Sequence, residues 1–311
     1  MQLTLEGLDT QDALSVLRNK KLERIDGGDF RVYKDVEGKE YHSVTHILGE
    51  TKSKRDKEFL AKWLAKPGND KVRNQAASRG TKAHSHCEYI LKTASQLIRN
   101  TCNERNSWKT YEDGLARSPK SVTEWAIKKA TGATPKVHWM AELHARGLAE
   151  WINGGKITSI HSVEFSIYHP LGFAGTADCL LDIEGKLTIT DFKTTGSFKD
   201  KPDKYLEDYF CQLGAYNLGL KHLTGIQAKQ AAVIIAKEEG DIQDMIDDDV
   251  RFVGETLKLS VENLIPSIQF LAASTASKRI QNKIINAGDD FDKFKSSLDS
   301  SDNTINILEA A

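Results

Sequence analysis

No stretch of this sequence approaches the roughly 18 consecutive apolar residues that a membrane-spanning helix needs, so no membrane partner is expected. The first residues, MQLTLEGLDTQDAL, show neither the basic leader and apolar core of a secretion signal nor an Arg-rich presequence. The expected compartment is therefore cytoplasmic, in a bacterium or a phage-infected cell. Cysteine is scarce: Cys87, Cys102, Cys179 and Cys211 are widely spaced and form no C-x-x-C pair, so reduced, mostly buried thiols are expected. A Gly-x-x-x-x-Gly-Lys-Ser/Thr phosphate loop is also missing, so any motor working with this chain would be a separate polypeptide. Net charge is nearly absent, at −1.

The distribution of charge is uneven. Through residue 155 there are 27 Lys/Arg against 20 Asp/Glu, and the acidic excess lies in the remainder. Residues 52 to 82 hold Lys52, Lys54, Arg55, Lys57, Lys62, Lys66, Lys71, Arg73, Arg79 and Lys82 against only Asp56, Glu58 and Asp70. Phe59 and Trp63 are interleaved at helical spacing. Cations can follow phosphates while rings stack on bases, which is what a single-stranded nucleic acid requires of its track. The plainer alternative is a solvated helix face whose aromatic residues point to the core.

With 311 residues, 39% hydrophobic and 28% charged, the chain has the composition of a soluble globular protein able to bury a substantial core. Residues 1–40 are polar and turn-rich, and an arm or small hairpin is expected there. Residues 43–98 read as mainly helical, with one helix over 74–91 that places His84 and Glu88 on a shared face and Gly80 at a close approach. Residues 100–137 read as a basic insertion with a helix near 121–130, and 138–151 as a further helix. Strand signals occupy 158–194, a helix follows over 204–220, and 230–237 reads as a buried strand. Residues 238–249 suggest an exposed turn or short strand pair, 250–275 a long amphipathic helix, and the segment after 288 a polar tail.

The stretch GFAGTADCLLDIEGKLTITDFKTT, residues 172–195, concentrates chemistry. Glu184-Gly185 suits a two-residue hairpin turn. Ile183 would then face Lys186, and counting outward puts Asp178 opposite Asp191, with Cβ atoms roughly 4.5–5.5 Å apart. Lys193, two residues beyond Asp191, points to the same face. The preceding Pro170-Leu171-Gly172 suits a three-residue loop, which puts Glu164 opposite Asp178. Carboxylates this close repel one another unless a cation lies between them. Hard oxygen donors favour Mg²⁺ or Mn²⁺ over zinc. One β-bulge would redirect a side chain to the other face.

Gly175-Thr176-Ala177-Asp178, then Asp191-Phe192-Lys193-Thr194, then Gln212-x-x-x-Tyr216 resembles the RecB-like branch of the PD-(D/E)xK nuclease superfamily. The likeness is greatest to the mitochondrial genome maintenance exonuclease-like group and its phage relatives. Arg79-Gly80-Thr81-x-x-His84 with Glu88 resembles that branch's Gly-x-x-x-His helix, and Ser43-Val44-Thr45-x-Ile47-Leu48 its entry segment. Ala177 stands where the family name has proline.

The resemblance implies an α/β (α+β) fold: a central mixed β-sheet flanked by helices, with a helical N-terminal portion. Its parts would be an arm over 1–40, a basic DNA-engaging portion over 41–155, a nuclease core over 156–275 and a tail over 276–311, all in one integrated domain. It also implies a Mg²⁺- or Mn²⁺-dependent exonuclease acting on single-stranded DNA or DNA ends in replication, recombination or repair, alongside a helicase or recombination protein. Asp178, Asp191 and Lys193 would be catalytic. His84, Glu164, Asp178, Asp191 and the Phe192 carbonyl would hold one or two metal ions. Gln212 would orient Lys193 or the substrate backbone, with Tyr216 and Glu88 in support, and Lys52, Lys54, Arg55, Lys57, Lys62, Trp63, Arg73, Arg79 and Lys82 would engage DNA. No cysteine follows Cys211, so an iron–sulfur cluster is not expected. The alternatives are an endonuclease or the nuclease module of a recombination complex, and a non-catalytic DNA-binding protein on a degenerate nuclease fold.

Overall fold

Turn chemistry fixes the centre of the molecule. Glu184 and Gly185 both adopt positive φ, +51° and +79°, as the favoured two-residue hairpin turn demands. Around them β5 (Phe173–Ile183) and β6 (Lys186–Thr194) pair antiparallel, with Ile183 facing Lys186 and Cys179 facing Thr190. Gly172, at φ +89°, donates its N–H to the His169 carbonyl and closes the three-residue loop from β4 (Ile157–His169). His169 then faces Phe173, and that register continues to Val163 opposite Cys179. Both hairpin registers match the sequence expectation.

The structure is a computed structural model, and it describes residues 14–17, 22–27, 30–50, 52–105, 118–202 and 205–247. The expected helix over 250–275 and the tail after 288 lie outside the described residues. Beyond β6 the chain passes through a helix, Glu207–Thr224, to β7 (Gln230–Ala236), which runs parallel to β6 with Asp191 beside Val233. β8 (Ile242–Asp247) returns antiparallel to β7. On the other side β1 (Glu23–Gly27), β2 (Phe30–Lys34) and β3 (Glu40–Ser43) form an antiparallel set, and β3 pairs in parallel with the start of β5. The result is one mixed eight-stranded sheet in the order β1-β2-β3-β5-β6-β7-β8, with β4 also on β5.

The helices between β3 and β4 that pack on the sheet or lead into it are α1 (Val44–Glu50), α2 (Lys54–Leu64), α3 (Asn69–Arg105), α4 (Pro119–Gly132) and α5 (Glu142–Asn153). The helix after β6 is α6. One core layer joins α1 and α6 to one face of the sheet through Val44, Ile47, Leu213, Val233 and Ile235. The opposite layer joins α3, α4 and α5 through Ile90, Leu91, Ile127, Leu148 and Ile234. The alternation of Val233, Ile234 and Ile235 between the layers follows the two-residue period of a strand and explains why β7 is apolar from Ala231 onward. Burying each such side chain contributes about 1.5–3 kcal/mol before entropy is counted. Cys87, Cys179 and Cys211 are buried free thiols within these layers; the Cys102 side chain lies outside the described set.

Several expectations need correction. Residues 23–27 and 30–34 form the expected small hairpin, β1–β2, but β3 joins that hairpin to the main sheet in place of a separate arm. The helix expected over 74–91 runs for 37 residues from Asn69 to Arg105. The presumed insertion is a core element: α4 buries Val122, Ala126, Ile127 and Ala130, while Lys120, Lys128 and Lys129 face solvent. The helix expected from His138 begins as a 3₁₀ turn, Trp139–Ala141, before α5.

Candidate active site

β5 changes partners where Asp178 sits. Its edge away from β4 is bonded to β3 at Phe173 and Ala174, and to β6 only from Cys179 onward. Between those contacts the ladder is open. The Asp178 carboxylate fills part of the gap, because its Oδ2 accepts the backbone N–H of Phe192 at 2.8 Å. The same oxygen lies 3.2 Å from His84 Nδ1, reaching across from α3.

The face expectation holds for β6 and is altered on β4 and β5. Glu164 has φ +50°, a left-handed conformation that costs a non-glycine residue energy and clusters at functional sites. Phe165 and Ala177 belong to the α6-side core, whereas Cys179 belongs to the α3-side core and Val163 packs against it. The register survives across Glu164 and Asp178, but the two strands exchange faces there. Glu164 and Asp178 therefore occupy the crossover instead of forming a flat row with Asp191. A left-handed glutamate carries no advance signal in the sequence.

Asp191 lies on the adjoining strand with its side chain 2% exposed and in direct ion contact with the Lys193 ammonium. Among the described residues, Oδ2 of Asp191 has that ammonium as its neighbour and no other hydrogen-bond donor. Lys193 Nζ sits over the Tyr209 ring, 5.2 Å from its centroid. Tyr209 escaped sequence reasoning, although Tyr209, Gln212 and Tyr216 share one stripe of α6 at spacings of three and four.

Charges in the cluster are strongly coupled. Burial favours the neutral form of Asp178, but the His84 hydrogen bond, Lys193 and the Phe192 N–H outweigh it and lower its pKa. Burial raises that of Asp191, assisted by repulsion from Asp178 and opposed by Lys193. For Lys193, burial works against the ammonium, but Asp191 and Asp178 prevail and raise the pKa. His84 is likewise raised, with Asp178 overcoming the cost of burial. Glu164 is pushed up to about 7 by burial first, then by repulsion from Asp178 and Glu88. Glu88 itself is paired with Lys92 at 2.6 Å.

Gln212 is placed differently from its expected role. Its Nε2 donates to Tyr216 Oη at 3.1 Å, so it braces the tyrosine, and no bond to Lys193 is seen. Tyr216 lies against Gly175 so closely that a Cβ there would come within 2.4 Å of Tyr216 Cε1. Overpacking of this kind costs about 1–3 kcal/mol, and Gly175→Ala is expected to lose that much stability in urea unfolding. Gly80 is less demanding, since a Cβ there would meet only Thr194 Oγ1, at an ordinary 3.6 Å. His144, a second residue missed from sequence, hydrogen-bonds through Nε2 to the Thr195 carbonyl at 2.9 Å and anchors the exit of β6.

A model of the PD-(D/E)XK nuclease superfamily matches residues 57–293, about three quarters of the sequence. The chain belongs to this superfamily. No curated protein sequence matches it significantly. PD-(D/E)XK members are metal-dependent nucleases, generally using ions such as Mg²⁺ or Mn²⁺. Membership thus implies hydrolase chemistry with DNA as substrate. No described helix is long and apolar enough to cross a membrane.

Whether these residues suit a metal can be judged from the donors themselves. Among the described residues no three His, Cys, Asp or Glu side chains converge as a finished ligand set. The Lys193 ammonium and the His84 imidazole lie against Asp191 and Asp178 instead. Yet the Asp191 and Asp178 carboxylates, little exposed and next to a third acid, Glu164, form a hard-oxygen set that suits a divalent cation.

The basic segment divides. α2 buries none of its residues; Lys54, Arg55 and Lys62 are exposed, Lys57 and Trp63 half-buried, and Phe59 is 73% exposed. The plainer expectation of core-facing aromatics therefore fails for Phe59. Arg73 is exposed on the first turns of α3. Three expected DNA contacts are engaged within the protein: Lys52 pairs with Asp208 at 3.2 Å, Lys82 donates to Ser78, and Arg79 lies beside Gly196 and Glu238.

Proposed function

We propose that this protein is a divalent-metal-dependent DNA exonuclease of the RecB-like branch, in the mitochondrial genome maintenance exonuclease-like group. Its substrate is single-stranded DNA or frayed ends arising in replication, recombination or repair. The observation that carries this is Asp178, Asp191 and Lys193 gathered at the break in the β5 ladder, with the His84 imidazole 3.2 Å from Asp178.

Asp178, Asp191 and Glu164, with His84 or the Phe192 carbonyl, would hold the metal. When bound, Mg²⁺ or Mn²⁺ polarises a phosphoryl oxygen and acidifies a water. Asp191 holds the Lys193 ammonium at the cluster, where it stabilises the negative charge growing on the phosphoryl oxygens. The Tyr209 ring lies against that ammonium and limits its other positions. His84 and the Phe192 N–H fix the Asp178 carboxylate, and the Gln212–Tyr216 pair packed on Gly175 forms the floor beneath it. Water's oxygen bonds to phosphorus, the ester P–O bond breaks, and the departing oxygen takes a proton. The exposed cations of α2 and Arg73 draw the strand in along its phosphates, with Phe59 and Trp63 available for stacking.

The test compares end-labelled linear with circular single-stranded DNA in Mg²⁺ or Mn²⁺. Linear DNA is expected to shorten progressively from an end while the circle persists. Cutting of the circle would establish an endonuclease instead, and tight binding without cleavage of either form would point to a DNA-binding scaffold.

A further inference from the structure

Beyond Glu88, α3 continues the stripe that faces the site. His84, Glu88 and Lys92 follow at intervals of four, and Ser95 and Arg99 extend the same face. Arg99 lies about 16 Å past Glu88 along the helix axis, at 1.5 Å per residue. In the other direction the stripe leads back to Arg73. The helix face thus carries Arg73 at one end and Arg99 at the other, with His84 and Glu88 between them.

The far end of this stripe opens onto a cavity of about 500 Å³ between α3 and β4. Lys92, Ser95, Gln96 and Arg99 form one wall, and the β4 segment from His161 to Ser166 forms the other. Glu164 belongs to that second wall, so the cavity adjoins the catalytic cluster directly. Lys92 and Arg99 bring two cations to it, with serine hydroxyls and the Gln96 amide beside them, against the Glu164 carboxylate and an apolar contribution from Leu17 and Phe165. Arg99 is held toward Ser95 Oγ by Nη1 at 3.0 Å and toward Gln96 Oε1 by Nη2 at 2.9 Å. These bonds hold along the cavity wall a planar guanidinium, a group that suits phosphate oxygens. Lys92 has three donors and can serve a phosphate while remaining paired with Glu88.

We infer that this cavity is a phosphate subsite for the bound DNA strand on the far side of the scissile bond, with Arg99 as its principal contact and Lys92 in support. The inference rests on the nuclease reading of the adjacent cluster. The strand enters over the basic surface of α2 and Arg73, passes the break at Asp178, and its continuation is gripped between α3 and β4. Cleavage then acts on a strand held at both sides, which limits sideways escape during successive turnovers.

Full-length wild type, Arg99→Ala and Arg99→Lys would be compared in two assays, after confirming that their unfolding midpoints agree. The first is steady-state cleavage of a labelled single-stranded oligonucleotide in Mn²⁺. The second is anisotropy of the same oligonucleotide in chelator across a salt series. Arg99→Ala is expected to raise KM about tenfold, one strong ionic contact, with kcat within about twofold. Its log–log salt slope should fall by about 0.7, the value for one lost contact on a single strand, and Arg99→Lys should restore the slope. An unchanged KM and slope in an alanine variant facing an active wild type would overturn the subsite and leave the nuclease reading intact. A loss confined to kcat would overturn it as well, since that marks disturbed catalysis and not a lost grip. A wild type that binds but does not cleave, with the slope still reduced in Arg99→Ala, would overturn the nuclease reading and keep the anion subsite.

Discussion

Asp191→Asn is expected to reduce the rate of DNA cleavage about a thousandfold while leaving the fold intact. The amide matches the carboxylate in size and removes the charge. Metal-assisted stabilisation of a phosphoryl-transfer transition state is worth several kcal/mol, and each 1.36 kcal/mol is a factor of ten in rate. Single-turnover cleavage in Mn²⁺ measures the loss. Asp178→Asn should fall by a similar factor, because its amide oxygen can still accept the Phe192 N–H that closes the β5–β6 break. An Asp178→Asn or Asp191→Asn enzyme within tenfold of wild type would remove that carboxylate from the chemistry.

Lys193→Ala is expected to cost about a hundredfold to a thousandfold in rate, the range for losing one group that stabilises transition-state charge. Unlike Asp191→Asn, it should retain metal affinity or increase it, because the ammonium in contact with Asp191 competes with an added cation. Calorimetric Mn²⁺ titration separates the two variants. Without metal, the alanine variant also leaves Asp191 buried with its nearest cation gone, which destabilises the fold. The pKa of Asp191 is already raised by burial, and losing Lys193 raises it further. A carboxyl whose folded pKa exceeds its ordinary value favours the fold at pH below that ordinary value and loses the advantage as pH rises through the folded pKa. The stability deficit against wild type should therefore grow upward from about pH 4 and shrink on acidification. Urea unfolding of both proteins in chelator across that range is the check.

Local chemistry made the hairpin that carries Asp178, Asp191 and Lys193 legible. Glu184-Gly185 and Pro170-Leu171-Gly172 specify their turns, each turn sets a register, and both registers are found. The crossover at Glu164 was not legible, because nothing about a glutamate announces positive φ. Nor was the parallel pairing of β3 with the start of β5, a contact between distant segments with no local signature. The helix near 121–130 was legible, but its place in the core was not, because lysines dominate the composition of a segment whose buried face, Val122, Ala126, Ile127 and Ala130, is small and sparsely apolar. The Gln-x-x-x-Tyr element identified two residues of the right helix face, but their partners depend on packing. Tyr216 meets Gly175, and the ring beside Lys193 is that of Tyr209.

The most direct test of the Asp178–Asp191–Lys193 site is a single time course on end-labelled linear single-stranded DNA with wild type and Asp191→Asn in parallel, started by Mn²⁺ and then quenched with chelator. Wild type should release labelled product only after Mn²⁺ is added and stop when it is chelated, while folded Asp191→Asn stays near background throughout. Cleavage by wild type that persists in chelator, or equal cleavage by the two proteins, would contradict a metal-dependent nuclease centred on these residues.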